Sequence, residues 1–316
     1  MDSIVSHKGY WCKVVHEGWK VRTWRSERTG QAETIVFPRK IYVPLGDFDD
    51  PAAMVARLDQ SGTVYEQEQK ERARQLSKAQ ERSRAKTKCR HRIKSHDLRQ
   101  MLTGTYKENM LDFDRARKDF GAFIRLMSKH IKDFAYVCGF EQQERGAWHW
   151  HCAVHRMPPF IMLEQSIRCK DGSWRKVAVP VRSYAFVRQM WLRVVGSFDG
   201  KPNGTVNVDG HNRSARGKFI NHKVEQSLAR IAGYVSKYLT KDHGDGLSGR
   251  QMWVSSQGLD SDKPVVVEIA QNVPLYAVID LMLVNGVRDG HYVVQHRLGR
   301  FKDFWLLYTE PICRAA

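Results

Sequence analysis

The sequence predicts an α+β fold in which helices pack on an antiparallel sheet. Three observations carry this. Several short runs alternate apolar and polar residues, the pattern of half-buried strands. Other segments repeat apolar residues at three- and four-residue spacing, the pattern of amphipathic helices. The central runs follow one another as strand, helix, hairpin, helix, strand, helix, an order that suits one layer of helices on an antiparallel sheet. With 316 residues, 42% of them apolar, the chain can bury a core and form one large domain or two modest ones.

Residues 1–46 alternate in strand-like fashion, as in Thr34-Ile35-Val36-Phe37. Asp50-Pro51 has the form of a helix start, with proline in the first turn. Residues 65–92 are almost all polar or charged and read as a solvated helix or linker. A composition shift near Ser95 marks a boundary. Beyond it, 98–106 reads as a strand. Residues 112–129 read as a helix with Phe113, Ala116, Phe120, Phe123, Ile124 and Met127 on one stripe. Residues 134–140 and 148–155 read as two strands joined by a turn at Arg145-Gly146, which makes a β-hairpin. A helix over 184–196, a strand over 205–208 and a helix over 224–240 follow, and then short strand-like runs at 265–267 and 292–294. The expected organisation is therefore an N-terminal β-rich segment with a basic helical linker (1–95), a central unit (96–245) and a C-terminal β-rich extension (246–316). No internal repeat is present.

Lysine and arginine outnumber aspartate and glutamate 52 to 34, a net charge of +18. Such a charge attracts polyanions. The 9 Trp, 11 Tyr and 13 Phe supply rings that could stack on unpaired bases, which makes nucleic acid the expected partner. The basic run Arg82, Arg84, Lys86, Lys88, Arg90, Arg92 and Lys94 could lie along DNA phosphates, or form a solvated helix face. The six cysteines form no C-x-x-C pair, which argues against a zinc ribbon and against a disulfide framework. Without an apolar signal core or an apolar run of about 18 residues, the chain is expected to be cytoplasmic and to have no membrane partner.

His149 and His151 stand two apart on an expected strand, so both imidazoles leave the same face, roughly 6–7 Å apart at Cα. Trp150 points to the other face. If the hairpin turn is Glu144-Arg145-Gly146, Gln143 pairs with Ala147, Gln142 with Trp148 and Glu141 with His149. Cross-strand partners share a face, so Glu141 can add an oxygen ligand. Glu144 is the alternative if the register shifts. Two neutral imidazoles and a carboxylate suit a divalent cation with open positions, and a phosphate substrate favours Mg²⁺ or Mn²⁺.

Tyr234 and Tyr238 are four apart and share one helix face. Lys237 and Lys241 fall within the same arc of about 100°. A tyrosine can attack a phosphodiester and divide one displacement into two. A free phenol titrates near 10, so nearby lysines or a metal ion would be needed to favour the phenolate.

At these residues the sequence resembles the HUH-superfamily rolling-circle replication initiators of small single-stranded DNA phages and plasmids, of the two-tyrosine type. The resemblance covers about 98–241. It is carried by Leu102-Thr103-Gly104-Thr105-Tyr106, by the stretch from Glu141 to His151 and by the stretch from Tyr234 to Lys241, in the family's order. It implies the HUH endonuclease fold: a five-stranded antiparallel sheet with flanking helices, the histidines on a central strand and the tyrosine helix beside them, with N-terminal and C-terminal additions. It also implies a metal-dependent endonuclease and strand transferase in a bacterial host. His149, His151 and Glu141 would hold the cation. Tyr234 or Tyr238 would attack single-stranded DNA at a replication origin, leaving a 5′-phosphotyrosine and a free 3′-hydroxyl for a host polymerase, and the second tyrosine would rejoin the strand. No P-loop pattern occurs, so a host helicase would supply unwinding. Gly104 departs from the family's apolar and threonine run. An HUH transposase or relaxase, a non-enzymatic single-stranded-DNA-binding protein and a zinc hydrolase are the other readings. Relaxases place the nucleophile before the histidines, whereas here it follows them.

Overall fold

A computed structural model of the chain describes residues 4–7, 10–44, 62–208, 227–237, 250–269, 273–286, 291–299 and 304–312. The expected helix start at Asp50-Pro51 lies outside them. The chain divides into two compact units, Ser83–Ser261 and Met1–Arg82 with Asp262–Ala316.

The second of these opens with strands β1 (Ile4–His7), β2 (Tyr10–Arg25) and β3 (Ala32–Pro44). Helix α1 (Gly62–Ser95) spans the polar stretch read from the sequence as helix or linker, and the unit boundary falls within it.

Ser83–Ser261 holds β4 (Gln100–Tyr106), α2 (Phe113–His130), β5 (Tyr136–Gln142), β6 (Trp148–Val154), β7 (Phe160–Arg168), β8 (Trp174–Arg182) and α3 (Ser183–Val195). Two short strands, β9 (Ser197–Phe198) and β10 (Lys201–Pro202), precede β11 (Gly204–Val208), α4 (Leu228–Lys237) and β12 (Trp253–Ser255). The expected α+β fold is present. Five antiparallel strands run in the order β11-β4-β6-β5-β12, with β6 at the centre.

One face of this sheet is closed by aromatic packing. All six stripe residues of α2 are buried, and the Asp112 carboxylate caps the helix by accepting from the Arg115 N–H at 3.0 Å. Phe120, Phe123 and Trp191 surround the Trp150 indole at centroid distances of 5.2, 5.3 and 5.2 Å. Gly104 pairs with Trp150 across β4 and β6, and a Cβ there would lie 2.0 Å from indole carbons. The ring occupies the space of a side chain, which is why the first motif strand carries a glycine. The other face is covered by the C-terminal end of α1 and by α4, where Cys89, Ile93, Leu228, Ile231 and Val235 pack with Val137 and Ala153. Ile231 and Val235 therefore face the core as their spacing implied.

The remaining elements belong to the other unit: β13 (Val265–Ile269), α5 (Leu275–Gly286), β14 (His291–Leu298) and β15 (Trp305–Pro311). Its antiparallel sheet runs β1-β2-β3-β15-β14, with β13 also paired to β2. Val21, Val36 and Trp305 form one cross-strand row, and Val278 of α5 packs with them. Among the described residues, no helix is long and apolar enough to cross a membrane.

Candidate active site

The β5–β6 hairpin has the register expected from its turn. Glu141 faces His149, Gln142 faces Trp148, and the Gln143 N–H donates to the Ala147 carbonyl at 2.9 Å. Gly146 closes the turn at φ 85, a conformation that favours glycine. Strand pleating then sorts β6. Trp148, Trp150, Cys152 and Val154 enter the aromatic core, while Ala153 packs on the opposite face, the side of His149 and His151.

His151 is 4% exposed and held at both ring nitrogens. Its Nε2 lies 2.9 Å from Glu141 Oε2, and its Nδ1 lies 3.1 Å from Thr103 Oγ1. Thr103 is its cross-strand partner on β4. The sequence reading did not single out Thr103. The signal was there in the strand alternation, because Leu102 is buried in the aromatic core and its neighbour must face the histidines.

His149 is half-buried, and its Nε2 is buried without a hydrogen-bond partner. Burial, followed by the neighbouring charges of His151 and Arg145, lowers its pKa to about 4. Near neutral pH this imidazole is therefore neutral, with one ring nitrogen unmatched. Such an orphan costs about 1–3 kcal/mol. Glu144 is exposed in the turn. Among the described residues, no three His, Cys, Asp or Glu side chains are gathered as a metal-holding group. Two imidazoles and a carboxylate nevertheless share this face, and the unmatched nitrogen of His149 is the chemical form a divalent ion takes as a ligand. On donor type, the residues fit the expected cation.

Tyr234 of α4 completes the cluster. Its ring meets the His151 ring edge-on, with centroids 5.1 Å apart and planes at 87°. Tyr234 is 41% exposed, so the ring is anchored at one side and accessible at the other. The helix is held there by its buried face, including Ile231, Ala232 and Val235. Lys237, the last residue of α4, is exposed. Tyr238 and Lys241 lie outside the described residues.

The basic run on α1 is not uniform. Arg84 and Lys88 are exposed, whereas Arg82, Lys86 and Arg90 are half-buried. Burial, and then the charge of Arg90, lowers the Lys86 pKa. Arg92 donates to Ser255 Oγ and lies over the Trp253 ring at 5.3 Å. Lys94 is buried. The end of the run thus serves packing, and the exposed charge sits earlier in the helix. Of the six cysteines, Cys12, Cys89, Cys138, Cys152 and Cys169 are described, and all five are free thiols.

Residues 99–243 match the replication-associated protein family of the ORF2 type. The matched stretch runs from the start of β4 past the end of α4, and so contains every residue of the His–Glu–Thr–Tyr cluster. The match supports a replication initiator that interacts with DNA. No curated protein and no solved structure matches the chain.

Proposed function

We propose that this chain is a rolling-circle replication initiator that nicks single-stranded DNA through a tyrosine nucleophile and later rejoins it. The observation that carries this reading is the meeting of Tyr234 with His151 on the face that also bears His149 and Glu141. A nucleophile and a set of metal-ligand side chains on one face, within a replication-family match, form the minimum equipment for phosphodiester transfer.

In this reading the Tyr234 or Tyr238 oxygen attacks the scissile phosphorus, and the phenol gives up its proton. The bond from phosphorus to the 3′ oxygen breaks, and that oxygen leaves as a 3′-hydroxyl after taking a proton. The product strand carries its 5′ phosphate on tyrosine. The phosphodiester's energy is kept in this ester, so the second tyrosine or a 3′-hydroxyl can reverse the step without another energy source. Mg²⁺ or Mn²⁺ held by His149, His151 and Glu141 would supply Lewis-acid stabilisation at the phosphate.

The chain's own residues prepare that site. His149 is kept neutral by burial. The imidazole tautomer that ligates through Nε2 carries its proton on Nδ1, and Thr103 Oγ1 stands where it can accept that proton from His151. Lys237 and Lys241 are the residues of this helix suited to neutralise charge on the phosphotyrosine. A host polymerase would extend the 3′-hydroxyl, and a host helicase would open the duplex.

The test is nicking of single-stranded DNA from the element that encodes the chain. Full-length protein with Mn²⁺ or Mg²⁺ is expected to cut it and remain attached to the 5′ end. The double variant His149→Ala, His151→Ala should lose several kcal/mol of transition-state stabilisation, upwards of a hundredfold in rate. Undiminished cutting by that variant, or cutting in chelator, contradicts the proposal.

A further inference from the structure

Among the described residues, strands β7 and β8 pair only with each other and form a two-stranded ribbon apart from the five-stranded sheet. Its base is anchored. Ile161 is buried in the aromatic core, and Leu163 and Val181 pack against that core. From Glu164 to Arg168, every residue of β7 is exposed. These five residues extend the ribbon by roughly 16 Å beyond its packed base.

Cross-strand partners share a face, and the register pairs Arg168 with Trp174, Ser166 with Lys176 and Phe160 with Arg182. Every residue on that face is exposed. It carries three cations (Arg168, Lys176 and Arg182) against one carboxylate, Glu164. Trp174 stands at its outer end, 70% exposed. The tip is a fixed turn. The Asp171 carboxylate accepts from the Ser173 N–H at 2.9 Å and the Ser173 hydroxyl at 2.7 Å, and Gly172 takes φ 83. That ties the Asp171 charge into the turn and leaves the indole beside arginine and lysine.

We propose that the β7–β8 ribbon is a second nucleic-acid contact, in which Trp174 stacks on an unpaired base and Arg168 and Lys176 engage the flanking phosphates. This rests on the replication reading above. Charge complementarity selects the occupant. Two copies of this face brought together would oppose like charges, whereas a phosphate backbone matches them. The indole selects single-stranded over duplex DNA, since it offers a stacking plane and only one donor for reading base edges.

The experiment is equilibrium binding of the full chain to a labelled oligothymidylate across a salt series, with melting and sedimentation of each variant. Trp174→Ala is expected to weaken binding about tenfold, and Trp174→Phe, which keeps a stacking ring, to retain most of it. Arg168→Gln with Lys176→Gln should lower the slope of log affinity against log salt by about 1.4, from two phosphates at roughly 0.7 each. All variants should melt as the parent chain does, because the ribbon's outer half adds nothing to the core. If the parent chain binds and the variants bind equally well, the ribbon assignment is wrong while the replication reading stands. If the parent chain does not bind oligothymidylate even at low salt, both fail. If Trp174→Ala splits a dimer without changing DNA affinity, the surface joins copies of the chain and the proposal is overturned.

Discussion

The two faces of β6 differ more than any two other regions of Ser83–Ser261. On one, Trp148, Trp150, Cys152 and Val154 are all at most 1% exposed and pack among apolar and aromatic neighbours. On the other, a few ångströms away across the same backbone, His149 keeps a buried nitrogen with no partner, and His151 is held between a carboxylate and a hydroxyl. The first arrangement gains dispersion and removes apolar surface from water. The second leaves polar groups buried at a cost to stability. A strand that makes both choices at alternate residues divides its work: the even positions fix the sheet, and the odd positions hold side chains in readiness for a ligand.

The comparison breaks most visibly on the aromatic face. Trp150→Ala should destabilise the protein by about 3–5 kcal/mol, read by denaturant or thermal unfolding. Gly104→Ala should cost about 1–3 kcal/mol by forcing the indole from its place. Parent-like unfolding of both variants would mean that this face is not the structural one. The smaller expected effect lies on the histidine face. Thr103→Val should weaken Mn²⁺ binding about 10–100-fold, measured by calorimetry, with unfolding little changed. Thr103→Ser, which keeps the hydroxyl, should restore it. Equal Mn²⁺ affinity in all three proteins would remove Thr103 from any positioning role.

Much of this contrast could be read from the sequence, because it rests on local rules. The α2 stripe followed from helical spacing, and every residue in it is buried. The hairpin register followed from one glycine turn, which put Glu141 opposite His149. Gly104 could not be explained locally, since its reason is a ring from another strand. Likewise Arg92 and Lys94 looked like any other members of a basic run until Trp253 and the core around α1 were in place. The apolar run that forms α5 and the ribbon of β7 and β8 were not legible in the same way. The run is short enough to suit either a strand or a helix, and the pairing of β3 with β15 joins residues from opposite ends of the chain.

The central claim is that the tyrosine helix, set against the histidine face, supplies the covalent link to DNA. Its most direct test is to trap the protein–DNA adduct on single-stranded origin DNA with Mn²⁺, digest it, and map the modified peptide. The account predicts a phosphotyrosine at Tyr234 or Tyr238, and no adduct from the double variant Tyr234→Phe, Tyr238→Phe. An adduct on any other residue, or one that persists in the double variant, would contradict it.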